Sequence, residues 1–256
     1  PGVSVGACLT LRTRSCSGAD DLMGGMAKRA EGDRRHATNR LPVRRTNMTD
    51  QRCISADRPA VAGVLIGGTS RRMGRPKALL PMPDGRTLLE HVVRTASGVL
   101  DLVVLLGSAA NLPDELRTWP RLPDAEPVRG PLSGLCSLLQ FAAPGWVMLL
   151  SCDLPLLSPP VLHRLLAAAS PDADVVAFVA DPAARSYHPC CALYHARLAP
   201  LALVELQTGR ASLHDLLARS RLVVLQPTPL EEEALTNVNT PAEFDAAFQR
   251  AVNFCL

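Results

Sequence analysis

From Pro59 onward the chain alternates short apolar runs with segments of helical period. Residues 62–66 (AGVLI), Leu102–Leu106 and 146–150 (WVMLL) carry almost no polar side chain and read as strands buried on both faces. Residues 175–179, 191–194 and Leu222–Leu225 extend the series. Between them the spacing predicts helices. Residues 87–96 place Leu88, Leu89, Val92 and Val93 on one face. In Pro131–Phe141, proline takes the first helical position after Gly130, and Leu132, Leu135, Cys136 and Leu139 fall at i, i+3, i+4 and i+7. Residues 159–169, 198–206, 212–218 and 241–252 supply the remaining helices. Strands separated in this way predict an α/β fold with a mostly parallel sheet covered on both faces. Ligands of such sheets sit at the carboxyl ends of the strands. That rule singles out two loops, after Ile66 and after Leu150.

Residues 1–58 show neither period. They are rich in Arg, Gly, Ser, Thr and Asp, and burial cannot offset the entropy of ordering them, so they are expected to form a flexible, disordered N-terminal extension to one domain, residues 59–256. Met48 is read as an alternative start within it. The net charge of +3 is uneven: residues 1–58 hold eleven Lys/Arg against six Asp/Glu, and the rest of the chain is acidic. Scattered positives with no interleaved aromatics argue against nucleic-acid binding. Acidic residues Asp20, Asp21, Glu31 and Asp33 argue against an organellar transit peptide. With 47% hydrophobic and 20% charged residues among 256, the composition excludes collagen, coiled coil and wholesale disorder. No apolar run approaches the about 20 residues of a membrane helix, so a cytoplasmic protein without membrane contact is expected. The eight cysteines lack a C-x-x-C pair and are expected to be reduced thiols.

The loop after the first strand carries the strongest chemistry. In Gly67-Gly68-Thr69-Ser70-Arg71-Arg72-Met73-Gly74-Arg75-Pro76-Lys77, paired glycines free backbone amides for a ligand, and three arginines and a lysine follow within ten residues. It suits a polyphosphate. It is neither a Walker A loop nor G-x-G-x-x-G. Lysine occurs only at positions 28 and 77, against 25 arginines, so Lys77 reads as a compact point charge for phosphate. After the strand ending at Leu150 comes Ser151-Cys152-Asp153-Leu154-Pro155, where Asp153 is placed to hold a hard divalent cation beside phosphates. Cys152 reads as a small buried residue. Asn237 and Asn239, two apart in an extended stretch, point to one side, and Thr240-Pro241 reads as helix cap and first helical residue.

The segment LIGGTSRRMGRPKALLP, beginning at Leu65, resembles the nucleotide-binding signature of the molybdenum cofactor guanylyltransferases and their nucleotidyltransferase relatives. It shares both glycines, Ser70, Arg72, Met73, Gly74 and Lys77. Ile66 stands where that family usually has Ala. Pro76 stands where the guanylyl enzymes usually have Asp, and Arg75-Pro76-Lys77 is closer to the cytidylyl relatives. Gly130-Pro131-Leu132-Ser133-Gly134 resembles the family's G-P-L-A-G element, with Asp124 six residues upstream. Ser151-Cys152-Asp153-Leu154-Pro155, the strand from His188 to Tyr194, Gly209-Arg210 and Asn237-Val238-Asn239-Thr240-Pro241 resemble further elements in the family's order.

The resemblance implies a Rossmann-like fold of the nucleotide-diphospho-sugar transferase type. It also implies Mg²⁺-dependent transfer of GMP from GTP to the terminal phosphate of molybdopterin, with release of pyrophosphate. Lys77, Arg72 and Asp153 would be catalytic, with Asp153 the metal ligand and Arg71 an alternative to Arg72. Leu65, Gly67, Gly68, Ser70, Gly74, Asp124, Gly130, Asn237 and Asn239 would complete the nucleotide site, and His188 would border the acceptor. Transient contact with other cofactor-biosynthesis proteins or molybdoenzymes is implied as well. A cytidylyltransferase, a sugar or alditol phosphate nucleotidyltransferase, and a non-catalytic nucleotide-binding regulator are the alternative readings.

Overall fold

A computed structural model describes residues 61–66, 76–107, 112, 114–125, 130–209 and 212–254 of the 256-residue chain. The expected N-terminal extension, the loop at 67–75 and Arg210 lie outside the described residues. Every described residue belongs to the unit Asp50–Leu256.

Seven strands form one sheet: β1 (Val61–Leu65), β2 (Leu102–Leu106), β3 (Arg121–Leu122), β4 (Trp146–Ser151), β5 (Val175–Asp181), β6 (Ser186–His195) and β7 (Leu222–Leu225). Their order is β3-β2-β1-β4-β6-β5-β7. All neighbours run parallel except where β6 lies antiparallel between β4 and β5. The expected mostly parallel sheet is what the chain builds.

The helices are α1 (Leu88–Ser97), α2 (Asp114–Arg117), α3 (Pro131–Phe141), α4 (Pro159–Ala167), α5 (Ala199–Gln207), α6 (Leu213–Ala218), α7 (Pro229–Ala234) and α8 (Pro241–Phe254). They cover both faces of the sheet. Met148 and Leu150 of β4 enter a core with Val92 and Val93 of α1 and Leu162 and Leu165 of α4. Val147 and Leu149 point the other way, into a core with Leu135 and Leu139 of α3, Leu206 of α5 and Leu216 of α6. Burial on both faces explains why these strands are apolar at every position rather than alternately. Close approach of α3 depends on two glycines: a Cβ at Gly63 would lie 2.6 Å from Leu106 and Leu138, and one at Gly134 would lie 2.9 Å from Leu65. Gly134 of the G-P-L-S-G segment is therefore a packing residue.

Local chemistry sets the helix ends. Thr87 caps α1 in a box with Glu90, each side chain reaching the other's backbone N–H, and Thr228 and Glu231 repeat the device at α7. The expected helix over 87–96 is thus α1 with Thr87 as its cap, and that over 212–218 is α6 capped by Ser212. Two expected strands are longer than their apolar centres: β5 and β6 form a hairpin whose polar ends reach Asp181 and Ser186. His188 accordingly sits inside β6, three residues before the apolar run that begins at Cys191. The elements α2, β3 and α7 carried no periodic signal, being two to six residues long. Among the described residues no helix is long and apolar enough to cross a membrane.

Candidate active site

The carboxyl ends of β1, β2 and β4 share one rim of the sheet, and of the expected site residues that the structure describes, Lys77, Asp124, Asp153 and Asn239 lie there. β4 ends in Ser151, and the chain turns at once through Cys152 to Asp153. The Ser151 hydroxyl donates to Asp153 Oδ1 at 2.6 Å, which fixes the carboxylate's orientation. Its other oxygen, Oδ2, faces the Lys77 ammonium at 3.4 Å. Lys77 opens a single 3-10 turn, Lys77–Leu79, immediately after the loop at 67–75. Its Nζ donates to Asn239 Oδ1 at 2.7 Å. Residues 76, 162 and 86 positions apart in pairs thus meet as one charged triad: Lys77, Asp153 and Asn239. Both charged side chains keep 18% of their surface open to solvent, so the triad is accessible to a ligand.

The backbone locks these segments together. Val238 N–H donates to the Asp153 carbonyl at 3.0 Å, and Asn239 N–H donates to Glu243 Oε2 at 2.6 Å. Glu243 N–H in turn donates to the Thr240 hydroxyl at 3.2 Å, confirming Thr240 as the cap of α8. Beneath lies a small separate core of Leu80, Leu88, Val238, Phe244 and Ala247. It joins the segment carrying Lys77 to α1, to the Asn237–Asn239 stretch and to α8. Asn237 and Asn239 are both exposed on either side of the fully buried Val238, as the two-residue spacing predicts.

Asp124 follows β3 on the same rim. Its carboxylate lies against Gly107, which ends β2: a Cβ there would stand 3.5 Å from Asp124 Oδ1, and Gly107 has φ +93°. The positive φ favours glycine, whereas an added Cβ would make only ordinary van der Waals contact, and the position carried no recognised motif. Gly130 directly precedes α3, and the space beside its Cα is open. The Leu65 side chain packs into the core beneath α3, so only its backbone can serve the rim. Gly67, Gly68, Ser70, Arg71, Arg72 and Gly74 lie outside the described residues.

Neighbouring thiols are poor nucleophiles. Burial, with the Asp153 charge as a further cause, pushes Cys152 and Cys190 up to about 12. Burial lowers the His188 pKa below its ordinary value of 6.5, favouring the neutral ring. Among the described residues no three His, Cys, Asp or Glu side chains form a metal cage. A lone strand-end carboxylate, oriented by a hydroxyl and already facing one cation, does fit Mg²⁺ held jointly with phosphate oxygens.

Comparison with known proteins identifies the family. Residues 62–223 match the family described as MobA-like NTP transferase domain. The chain is 37% identical over 185 residues to a probable molybdenum cofactor guanylyltransferase of Deinococcus radiodurans, covering 72% of this chain and 92% of that protein. It is 25% identical over 182 residues to one of the same name from Flavobacterium johnsoniae, covering 71% and 93%. Among solved structures, molybdopterin-guanine dinucleotide biosynthesis protein A of Archaeoglobus fulgidus superposes with a TM-score of 0.62 at 21% identity, over 75% of this chain and 99% of that one. At that identity the likeness speaks for the fold.

Proposed function

Because the chain belongs to the MobA-like NTP transferase family, we propose that this nucleotidyltransferase is a molybdenum cofactor guanylyltransferase, moving GMP from GTP to the terminal phosphate of molybdopterin. The observation that carries this reading is the meeting of Lys77, Asp153 and Asn239 at the carboxyl rim. The relatives' names support the acceptor. A cytoplasmic location fits the absence of a membrane-crossing helix among the described residues.

An oxygen of the acceptor phosphate attacks the α-phosphorus of GTP, the α–β phosphoanhydride bond breaks, and pyrophosphate leaves with its electron pair. No enzyme nucleophile is needed, which agrees with the raised thiol pKa values. Asp153, oriented by Ser151, would hold Mg²⁺ together with the phosphates. When bound, the ion neutralises charge on the reacting phosphates. Lys77 places a point charge on the phosphate chain, and Asn239 holds its ammonium in position. Arg72 or Arg71, with the amides of Gly67 and Gly68 and the Ser70 hydroxyl, is assigned the remaining phosphate contacts. Asp124 accepts from the guanine edge, and His188, neutral and half-buried, borders the acceptor.

The test is pyrophosphate release with Mg²⁺ and each of the four NTPs, with and without molybdopterin. Release with GTP that requires molybdopterin is expected. Release with CTP alone would keep the mechanism and move the base preference, the reading that Arg75-Pro76-Lys77 favours. Failure with every nucleotide by folded protein would overturn the proposal in favour of another acceptor or a non-catalytic binder.

A further inference from the structure

We propose that Ser133 and Ser137 are positioning residues that set base selectivity by clamping the two peptide units on either side of Asp124. The inference rests on the reading of Asp124 as the carboxylate that meets the guanine edge.

Ser133 and Ser137 stand one turn apart on α3, so their hydroxyls share a face of the helix. The Ser133 hydroxyl donates to the Ala125 carbonyl at 2.7 Å, and the Ser137 hydroxyl donates to the Pro123 carbonyl at 2.7 Å. Ala125 N–H closes the arrangement on the Ser133 carbonyl at 3.5 Å. The residues before and after Asp124 are therefore both fastened to one rigid element, and Asp124 itself is left between two fixed points. Its carboxylate accepts no hydrogen bond among the described residues and rests over Gly107. It is held by its backbone, and its half-buried carboxylate has no hydrogen-bond donor among the described residues.

Little else holds this segment. It follows β3, a strand of only two residues at the edge of the sheet. Ser133 is 1% exposed, and its hydroxyl lies within the apolar packing of α3, where an unneeded hydroxyl would only weaken the core. In the G-P-L-A-G element that this stretch resembles, the same position is alanine. The clamp through Ser133 is thus a feature of this chain. A carboxylate that accepts both donors of a guanine edge discriminates well only if its direction is fixed within a few tenths of an ångström.

Inosine triphosphate is the probe, since its base keeps the ring N–H and lacks the exocyclic amine. Affinities for GTP and ITP, each with Mg²⁺, are measured by calorimetry on the full chain and on five variants: Asp124→Ala, Ser133→Ala, Ser137→Ala, the double serine variant and Ser137→Thr. The wild type is expected to prefer GTP, and Asp124→Ala to bring the ratio near one. The double serine variant should lower the ratio by about three- to tenfold, the single variants by less, and Ser137→Thr, which keeps the hydroxyl, should retain it. Equal weakening of both nucleotides at an unchanged ratio would show a structural role only and overturn the inference. So would a ratio in the double variant within about twofold of wild type while Asp124→Ala collapses it. If Asp124→Ala itself leaves the ratio unchanged, the reading of Asp124 falls and the clamp falls with it.

Discussion

At the carboxyl rim of the sheet Asp153 meets Lys77 at 3.4 Å, with a hydroxyl on its other oxygen. At the opposite rim Asp174, just before β5, accepts the Arg221 backbone N–H at 3.0 Å, its Nε at 3.0 Å and its Nη2 at 2.8 Å, with Arg197 Nε at 3.4 Å. Around it His195 meets Trp146 edge to face, and His195 N–H donates to the Asp174 carbonyl at 2.8 Å. Both rims set a carboxylate against a cation, yet the second is closed by a forked guanidinium, whereas among the described residues the first meets the Ser151 hydroxyl and, at 3.4 Å, a lysine. Arg221 keeps the Asp174 carboxyl below its ordinary range. The difference separates a brace from a candidate binding site: a charge whose bonds are filled stabilises the fold, and one whose bonds are loosely filled can exchange partners for a ligand.

A large loss of activity is expected at Lys77. Lys77→Ala is expected to lower pyrophosphate release by about a hundredfold or more, with the melting temperature little changed, since its partners stay solvated. Asn239→Ala should cost about tenfold in kcat/KM, the scale of one hydrogen bond to a charged group. Equal turnover in that variant would show that Lys77 needs no holder.

Acidification sharpens the other side of the comparison. Burial depresses the His91 pKa below 6.5 and Arg221 depresses that of Asp174 below 3.8. In both cases the unfolded chain binds its proton at the higher pH, so stability rises with pH across each window. Stability should be full above about pH 6.5, fall below it as the unfolded His91 takes its proton, and fall further below about pH 3.8 through Asp174. Asp174→Asn should lose about 1–2 kcal/mol at neutral pH in urea unfolding, flatten the lower window and leave turnover at 25 °C unchanged. The smallest effect is expected from removing residues 1–47: a chain starting at Met48 should release pyrophosphate at the wild-type rate, and a marked loss would assign those residues a role in the reaction.

The parallel half of the sheet was legible because β1, β2 and β4 are buried on both faces and therefore apolar throughout. The β5–β6 hairpin was legible only at its centre. Its outer part, Ser186 to Cys190, is half-buried and contains Pro189, which lies beyond the last residue of β6 paired with β4. Lys77 stood out as one of two lysines, and Asp153 through its place after an apolar strand. Gly107, Ser133, Ser137 and Ser151 gave no signal, because each matters through something fixed only by the fold: Gly107 through its backbone angle, and the serines through the groups they bond. Glu243 is the intermediate case, since T-x-x-E before α8 can be read as a cap, while its grip on Asn239 cannot.

On the proposed function, Mg²⁺ and nucleotide bind at the open rim and not at the closed one. Its most direct test is pyrophosphate release from GTP with molybdopterin, and Mg²⁺-dependent GTP binding, by Asp153→Ala beside Asp174→Asn. Expected for the first variant are a loss of about a hundred- to a thousandfold in turnover and loss of the Mg²⁺ dependence of binding, with both near wild type for the second. Near-normal turnover and Mg²⁺-dependent binding by a folded Asp153→Ala protein would contradict it.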